Sequence, residues 1–122
     1  MYFFSGEPLM DGKTRRYLEE KSRIFKALGH PTRLFIVEEL ARGERCVHDL
    51  TEMIGADVST VSRHLSVLKN ARIISDDKRG AQVFYSLAVP CVVNFFSCVE
   101  NVLDTVVEDI ETAREDRDAA GT

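Results

Sequence analysis

Residues 56–74 read ADVSTVSRHLSVLKNARII, and this stretch carries the strongest indication of the fold. Asp57 is a good helix N-cap, and apolar residues follow it at intervals of three and four. This spacing predicts an amphipathic helix that ends near Asn70. The side chains expected to be buried are Val58, Val61, Leu65 and Leu68. The opposite face carries Ser59, Thr60, Ser62, Arg63 and Ser66.

The polar face of this helix suits double-stranded DNA. Small hydroxyl side chains allow close approach to a phosphate or a groove wall, and a helix N-terminus favours an anion. Arg63 can donate two hydrogen bonds to guanine, and His64 can donate to a base edge or a phosphate. Lys69 and Arg72 extend the positive charge. The alternative is a solvated helix without a ligand, and the flanking sequence argues against it.

Three further helices are predicted before this one. The first spans Gly12–Leu28, the second opens at Pro31 and ends at Gly43, and a short third helix ends at Gly55. Their apolar residues in chain order are Tyr17, Leu18, Ile24, Phe25, Leu28, Leu34, Val37, Leu40, Val47, Leu50 and Ile54. Of these, Leu34, Val37 and Leu40 are expected to face inward.

Two strand-like segments follow, ARIIS (71–75) and AQVFYSL (81–87), with a turn-rich connection over residues 77–80. Lys78 and Arg79 at this tip are expected to reach a minor groove or a backbone phosphate. Pro90 begins a last long helix with apolar residues along one side. Helices, a hairpin and a final helix in this order predict a mainly α winged helix-turn-helix with a β-hairpin.

Composition places the chain among globular proteins. It has 122 residues, 44% of them hydrophobic and 30% charged, which suits one compact domain. We expect an N-terminal extension over residues 1–11, a DNA-binding and dimerisation domain over 12–114, and an acidic, frayed tail over 115–122. No apolar run is long enough for a membrane span, and MYFFSGEPLM at the start lacks the features of a signal peptide. These features predict a cytoplasmic protein without a membrane partner.

The net charge of −4 conceals an uneven distribution. Residues 100–122 contain eight acidic and two basic residues, so the rest of the chain carries a small positive charge. Local charge at a contact surface matters more than the total. The acidity therefore does not exclude DNA.

The segments LGHPTR (28–33), STVSRHLSVL (59–68) and KRG (78–80) together resemble the ArsR/SmtB family of bacterial metal- and ligand-responsive repressors. The resemblance covers roughly residues 20–110. It implies a winged-helix homodimer, built by the first and last helices, that binds a two-fold-related operator until an inducer releases it. The long apolar stripe of the last helix is consistent with such an interface.

Three cysteines, Cys46, Cys91 and Cys98, are candidate inducer ligands together with His48. An odd number without a secretion signal makes a disulfide framework improbable. Arsenic- and cadmium-type relatives carry ELCVCDL where this chain has Cys46 and His48, and a frayed first turn would bring that pair together. Cys91 and Cys98, placed on the last helix, lie about 10 Å apart along its axis, so they would share an ion only across a dimer. They could also serve separately, each together with Cys46. Alternatively, all three pack as small hydrophobes.

The ligand types favour As(III) or Sb(III) as the inducer, ahead of cadmium or zinc, because soft metals and metalloids prefer thiolates. No catalytic cofactor is expected. A thiol redox or persulfide switch and an organic ligand are alternatives within the same fold.

The alternatives from other classes of function are an enzyme and a protein-interaction module. An enzyme with Cys46 and His48 as nucleophile and base is disfavoured, because no oxyanion-type glycine loop accompanies them. A winged-helix protein-interaction module would lack the basic face that Arg63, Lys69 and Lys78 predict. Salt-dependent binding to duplex DNA discriminates between these classes.

Overall fold

The computed structural model describes residues 9–120, so residues 1–8 of the predicted extension lie outside the described part. The elements in chain order are α1 (Gly12–Leu28), α2 (Pro31–Arg42), β1 (Arg45–Cys46), α3 (Val47–Ile54), α4 (Val58–Asn70), β2 (Ile74–Arg79), β3 (Gln82–Leu87) and α5 (Val92–Ala120). This order confirms the winged helix-turn-helix. The chain forms two compact units, which meet between Ala88 and Val89 in the sequence. The division therefore falls inside the predicted domain of residues 12–114.

Side chains cap the first two helices. The Asp11 carboxylate accepts a hydrogen bond from the Thr14 amide at 2.8 Å and starts α1. The His30 ring accepts from the Thr32 amide at 3.1 Å and starts α2 beside Pro31. Neither cap was predicted, although the predicted bounds of α1 and the predicted start of α2 are confirmed.

The core of the first unit lies between α2, α3, α4 and the start of the hairpin. Its most buried side chains are Ile36, Val37, Leu50, Val61, Leu65, Leu68 and Ile73. Two predicted core residues are wrong. Val58 is 56% exposed because it occupies the first turn of α4, one turn before the buried row begins, and Leu34 is 37% exposed. The stripe on α1 is also exposed, except at its end, where Ala27 and Leu28 are buried.

The sheet has the strand order β1-β3-β2, and both pairings are antiparallel. The two-residue β1 was not predicted, because it is too short for a recognisable pattern. The prediction that residues 77–80 form the connection between the strands is wrong for residues 77–79, which belong to β2. The ladder continues to the pair Arg79 and Gln82, so the turn holds only two residues, and Gly80 takes a positive φ of 64°.

Two expectations about α5 are wrong, one about where the helix starts and one about where it ends. The Val92 amide donates to the Val89 carbonyl at 3.1 Å in a turn, so the helix starts after Cys91 rather than at Pro90. Helix α5 then continues to Ala120, through residues expected to fray. Alanine, glutamate and arginine all have high helix propensity, which accounts for the extension. In the described chain, none of the helices is both long enough and apolar enough for a membrane span.

Candidate nucleic-acid interface

Helices α3 and α4 form the helix-turn-helix. Gly55 ends α3 in the left-handed conformation, with φ of 78°, and α4 starts at Val58. The Asp57 carboxylate accepts hydrogen bonds from the Ser59 hydroxyl at 2.7 Å and the Thr60 amide at 2.8 Å. These bonds lower the pKa of Asp57 to about 2, the Ser59 bond most strongly. An ionised carboxylate therefore already places one negative charge at this N-terminus.

The solvent face of α4 carries the hydroxyl groups and one guanidinium. Ser59, Arg63 and Ser66 are exposed, whereas Thr60 and Ser62 are half-buried. In residues 9–120, no hydrogen bond or salt bridge engages the Arg63 guanidinium. Its fork of donors is therefore available for a guanine edge or a phosphate.

His64, on the same helix, is engaged with the protein. The ring is half-buried and lies against the His30 ring, with a centroid distance of 4.4 Å. Arg33 contacts its Nδ1 atom at 3.1 Å. Burial lowers the pKa of His64, and the charges of His30, Arg33 and Arg63 lower it further. One ring nitrogen of His64 therefore already has a partner, and only Nε2 remains for the predicted contact with a base edge or a phosphate.

The remaining predicted bases differ in availability. Lys69 donates to the Asp76 carboxylate at 2.8 Å, which raises the pKa of Lys69 and ties α4 to β2. Arg79 donates to both Glu44 carboxylate oxygens at 2.6 and 2.7 Å, and to Asp77 at 2.8 Å.

The Arg79 guanidinium also lies over the Phe84 ring, 4.8 Å from its centroid. The hydrogen bonds that Arg79 donates to Glu44 and then to Asp77 raise the pKa of Arg79. Lys78 is exposed, and no hydrogen bond or salt bridge engages it in the described part of the chain. The wing, defined as β2, β3 and their turn, therefore offers Lys78 freely and Arg79 only as part of an ion-paired group.

The four candidate inducer ligands are divided between the two units of the chain. Cys46 is buried at 5% exposure, at the N-terminus of α3. His48 is exposed, and its Nε2 atom lies 3.3 Å from the Glu52 carboxylate. Cys91 and Cys98 are exposed thiols of the second unit. Over the described ranges, no group of three or more His, Cys, Asp and Glu side chains is arranged to hold a metal ion.

The contacts of His30 and Arg33 with His64, and of Glu44 with Arg79, were not predicted from the sequence. His30 and Arg33 belong to the segment LGHPTR, which contributed only to the resemblance. Glu44 has no local pattern that would link it to Arg79, because the two residues are 35 positions apart.

The chain resembles several bacterial regulators. A model described as "Bacterial regulatory protein, arsR family" matches residues 30–76. The uncharacterized HTH-type transcriptional regulator Rv0081 of Mycobacterium tuberculosis (strain ATCC 25618 / H37Rv) is 32% identical over 103 residues, which cover 84% of this chain and 90% of the relative. The crystal structure of M. tuberculosis Rv0081 superimposes with a TM-score of 0.68 at 31% identity, over 76% of this chain and 94% of that one.

Two other relatives carry more specific descriptions. The HTH-type transcriptional repressor SmtB of the same M. tuberculosis strain is 35% identical over 74 residues, 61% of this chain and 55% of the relative. A solution NMR structure from Mycobacterium bovis is described as a homodimeric winged helix-turn-helix DNA-binding domain of a possible ArsR-family regulator. It matches with a TM-score of 0.70 at 28% identity, over 86% of this chain and 94% of that one.

Proposed function

This chain belongs to the arsR family of bacterial regulatory proteins, and on that premise we propose that it is a DNA-binding transcriptional repressor whose α4 reads an operator in the major groove. One observation carries the proposal. Helix α4 buries Val61, Leu65 and Leu68 in the core and leaves Arg63 exposed on the opposite face. Packing in the core holds the shape of such a helix. The helix can therefore enter a major groove and present the donors of Arg63 to the base edges.

The proposed active form is a homodimer on a two-fold-related operator. The M. bovis relative is described as homodimeric. In this chain, α1 and α5 both carry exposed apolar side chains, which are Tyr17, Leu18, Ile24, Phe25, Val93, Phe95, Val99, Val102, Leu103, Val106, Val107 and Ile110. Exposed apolar surface of this extent is typical of a protein–protein interface. Two copies would present two α4 helices to successive major grooves.

Binding to duplex DNA tests this function. The full-length reduced protein is titrated onto a fluorescent duplex from its own upstream region, at several salt concentrations. We expect specific binding that weakens steeply with salt. Arg63→Ala should lose specificity, whereas Arg114→Ala on α5 removes the same charge as the control. Binding that is absent at all salt concentrations would contradict the function and favour the protein-interaction module.

The proposed inducer is a thiophilic species, with arsenite or antimonite ahead of cadmium or zinc. Cys91 and Cys98 support this because both thiols are exposed. Cys46 and His48 are weaker candidates as a pair, since Cys46 is buried and His48 is engaged with Glu52. Inducer binding would favour a dimer whose two α4 helices no longer match successive grooves.

Titration of the protein–DNA complex with arsenite tests the inducer. We expect release near one equivalent of arsenite per site for the wild type, and loss of release in Cys91→Ser or Cys98→Ser. Cys46→Ser is the matched control for a buried thiol. Release by oxidants or persulfides but not by arsenite would replace the metalloid by a redox switch. Release that survives all three substitutions would remove thiols from the mechanism and leave an organic ligand.

A further inference from the structure

One guanidinium connects three helices beside the recognition face. Arg33 lies on α2, and its Nε atom donates to the Ala27 carbonyl at 2.6 Å, while Nη2 donates to the Lys26 carbonyl at 3.2 Å. Both carbonyls belong to the last turn of α1, where a positive charge is favourable. The remaining Nη1 atom contacts Nδ1 of His64 on α4 at 3.1 Å. Arg33 therefore joins the end of α1 and the start of α2 to the helix proposed to read DNA.

The contacts define the protonation state of both imidazoles. A guanidinium only donates hydrogen bonds, so Nδ1 of His64 must accept and cannot carry a proton. The same holds for Nδ1 of His30, which accepts from the Thr32 amide at 3.1 Å as the cap of α2. Each neutral ring therefore carries its proton on Nε2. For His64, this leaves one N–H that is not needed by Arg33.

Acid would disrupt the contact between His64 and Arg33. A proton on Nδ1 of His64 removes the acceptor for Arg33 and places two positive charges together. The charges that act on His64 come from His30 and Arg33 on α2 and from Arg63 on its own helix. No carboxylate of the described chain is among them, so nothing compensates an imidazolium at this position. With burial, these charges lower the pKa of His64 below its ordinary value of 6.5.

We infer that His30, Arg33 and His64 are positioning residues that hold α4 in its DNA-binding orientation only while the His64 imidazole is neutral, so that operator binding weakens on acidification. The inference deepens the proposed DNA-binding function and depends on it. His64 makes the winged helix a pH-sensitive device, in which the change of charge occurs at the contact between α4 and α2.

The sign of the pH effect separates this inference from a simpler role. A histidine that only contacted phosphates would gain charge in acid, and DNA binding would become tighter. The positioning cluster predicts the reverse. Loss of one hydrogen bond in the cluster should weaken operator binding about five- to tenfold between about pH 8 and about pH 5.5.

Two substitutions replace the imidazoles of His64 and His30 by side chains that carry no proton-dependent charge, while they keep the hydrogen bonds. His64→Gln supplies an amide oxygen that accepts from Arg33, and His30→Asn keeps a side chain that caps α2 well. We expect the double variant H30N/H64Q to lose the decline in acid, measured as the ratio of its own affinities at about pH 8 and about pH 5.5. His48→Gln is the matched control, because His48 is exposed and paired with Glu52 instead. It should retain the wild-type pH profile.

The measurement is fluorescence anisotropy of the full-length protein on its upstream duplex, at constant ionic strength across the pH range. Affinity that stays constant or rises in acid overturns the inference, as does a decline that persists in H30N/H64Q. If duplex binding is absent at every pH, the proposed function fails. In that case, nitrogen NMR of the imidazoles in the free protein tests the cluster of His30, Arg33 and His64. His64 that titrates at a lower pH in the folded than in the urea-unfolded chain supports it, and an equal or higher value overturns it.

Discussion

The recognition helix α4 and the wing both carry bases predicted to meet DNA, but different forces hold them. Helix α4 is held by apolar packing, since Val61, Leu65 and Leu68 are at most 1% exposed. In β2, only Ile74 is buried, and the base Arg79 is held by ion pairs. Packing is insensitive to salt, whereas exposed ion pairs are screened. The helix therefore keeps its shape and leaves Arg63 free, while the wing uses part of its own charge to maintain its structure.

The largest expected effect comes from the packing beneath α4. Leu65→Ala removes a side chain at 1% exposure and leaves a cavity, so the free energy of unfolding should fall by about 2–5 kcal/mol. Urea unfolding at one fixed protein concentration measures it. Val83→Ala in the half-buried β3 is the counterpart in the wing and should cost clearly less. Equal losses would contradict the difference between the two regions.

The next effect concerns DNA rather than stability. Arg63→Ala should weaken operator binding by about 1–3 kcal/mol, with the greatest loss at the base pair that it contacts. Arg79→Ala should weaken binding less, because Glu44 and Asp77 already engage that guanidinium. Anisotropy titrations on one operator compare the two variants. A greater loss for Arg79→Ala would mean that the wing is the main contact.

The junction between α4 and β2 provides a stabilising change. Arg72 has a φ of +64°, the left-handed region that residues other than glycine adopt at a cost of about 1 kcal/mol. Arg72→Gly should raise the unfolding free energy by roughly 0.5–1 kcal/mol. Arg72→Ala removes the same charge but keeps the backbone strain, so it should not stabilise. Thermal or urea unfolding of both variants checks the prediction.

The smallest effect is expected within the wing. Glu44→Gln breaks the two-pronged contact with Arg79, and stability should change within the error of an unfolding experiment because the pair is exposed. Operator binding at low salt should become severalfold tighter, since a negative charge is lost and the guanidinium is released. Glu38→Gln on α2 removes the same charge from an exposed position without the Arg79 contact. Equal gains in both variants would mean that net charge alone is responsible.

Sequence predicted the elements well where the signal is local. The Asp57 cap, the glycines after α2 and α3, and Pro31 in the first turn of α2 set the helix bounds through contacts of a few residues. The pairing of β1 with β3 had no such signal. It joins Arg45 to Tyr85 and Cys46 to Phe84, residues that are far apart in the chain. The exposure of Val58 and Leu34 likewise depended on which neighbours reach the ends of a helix face.

The candidate interface divides in the same way. Arg63 was predictable, because its position opposite Leu65 and Val61 follows from helical spacing. The engagement of Lys69 and Arg79 was not, because the partners Asp76 and Glu44 approach only when the sheet forms. The four candidate inducer ligands were identified by residue type, and no spacing rule could indicate that Cys46 is buried while His48 faces solvent.

Periodicity, caps and turn residues act within one or two turns of chain, and they are enough to specify the helix-turn-helix, the hairpin and the polar face of α4. Which basic groups are free and which are engaged depends on how the folded chain brings distant residues together. Arg33 meets His64 across 31 positions, and Arg79 meets Glu44 across 35. Such contacts depend on distances through space, which a linear pattern of residues does not contain.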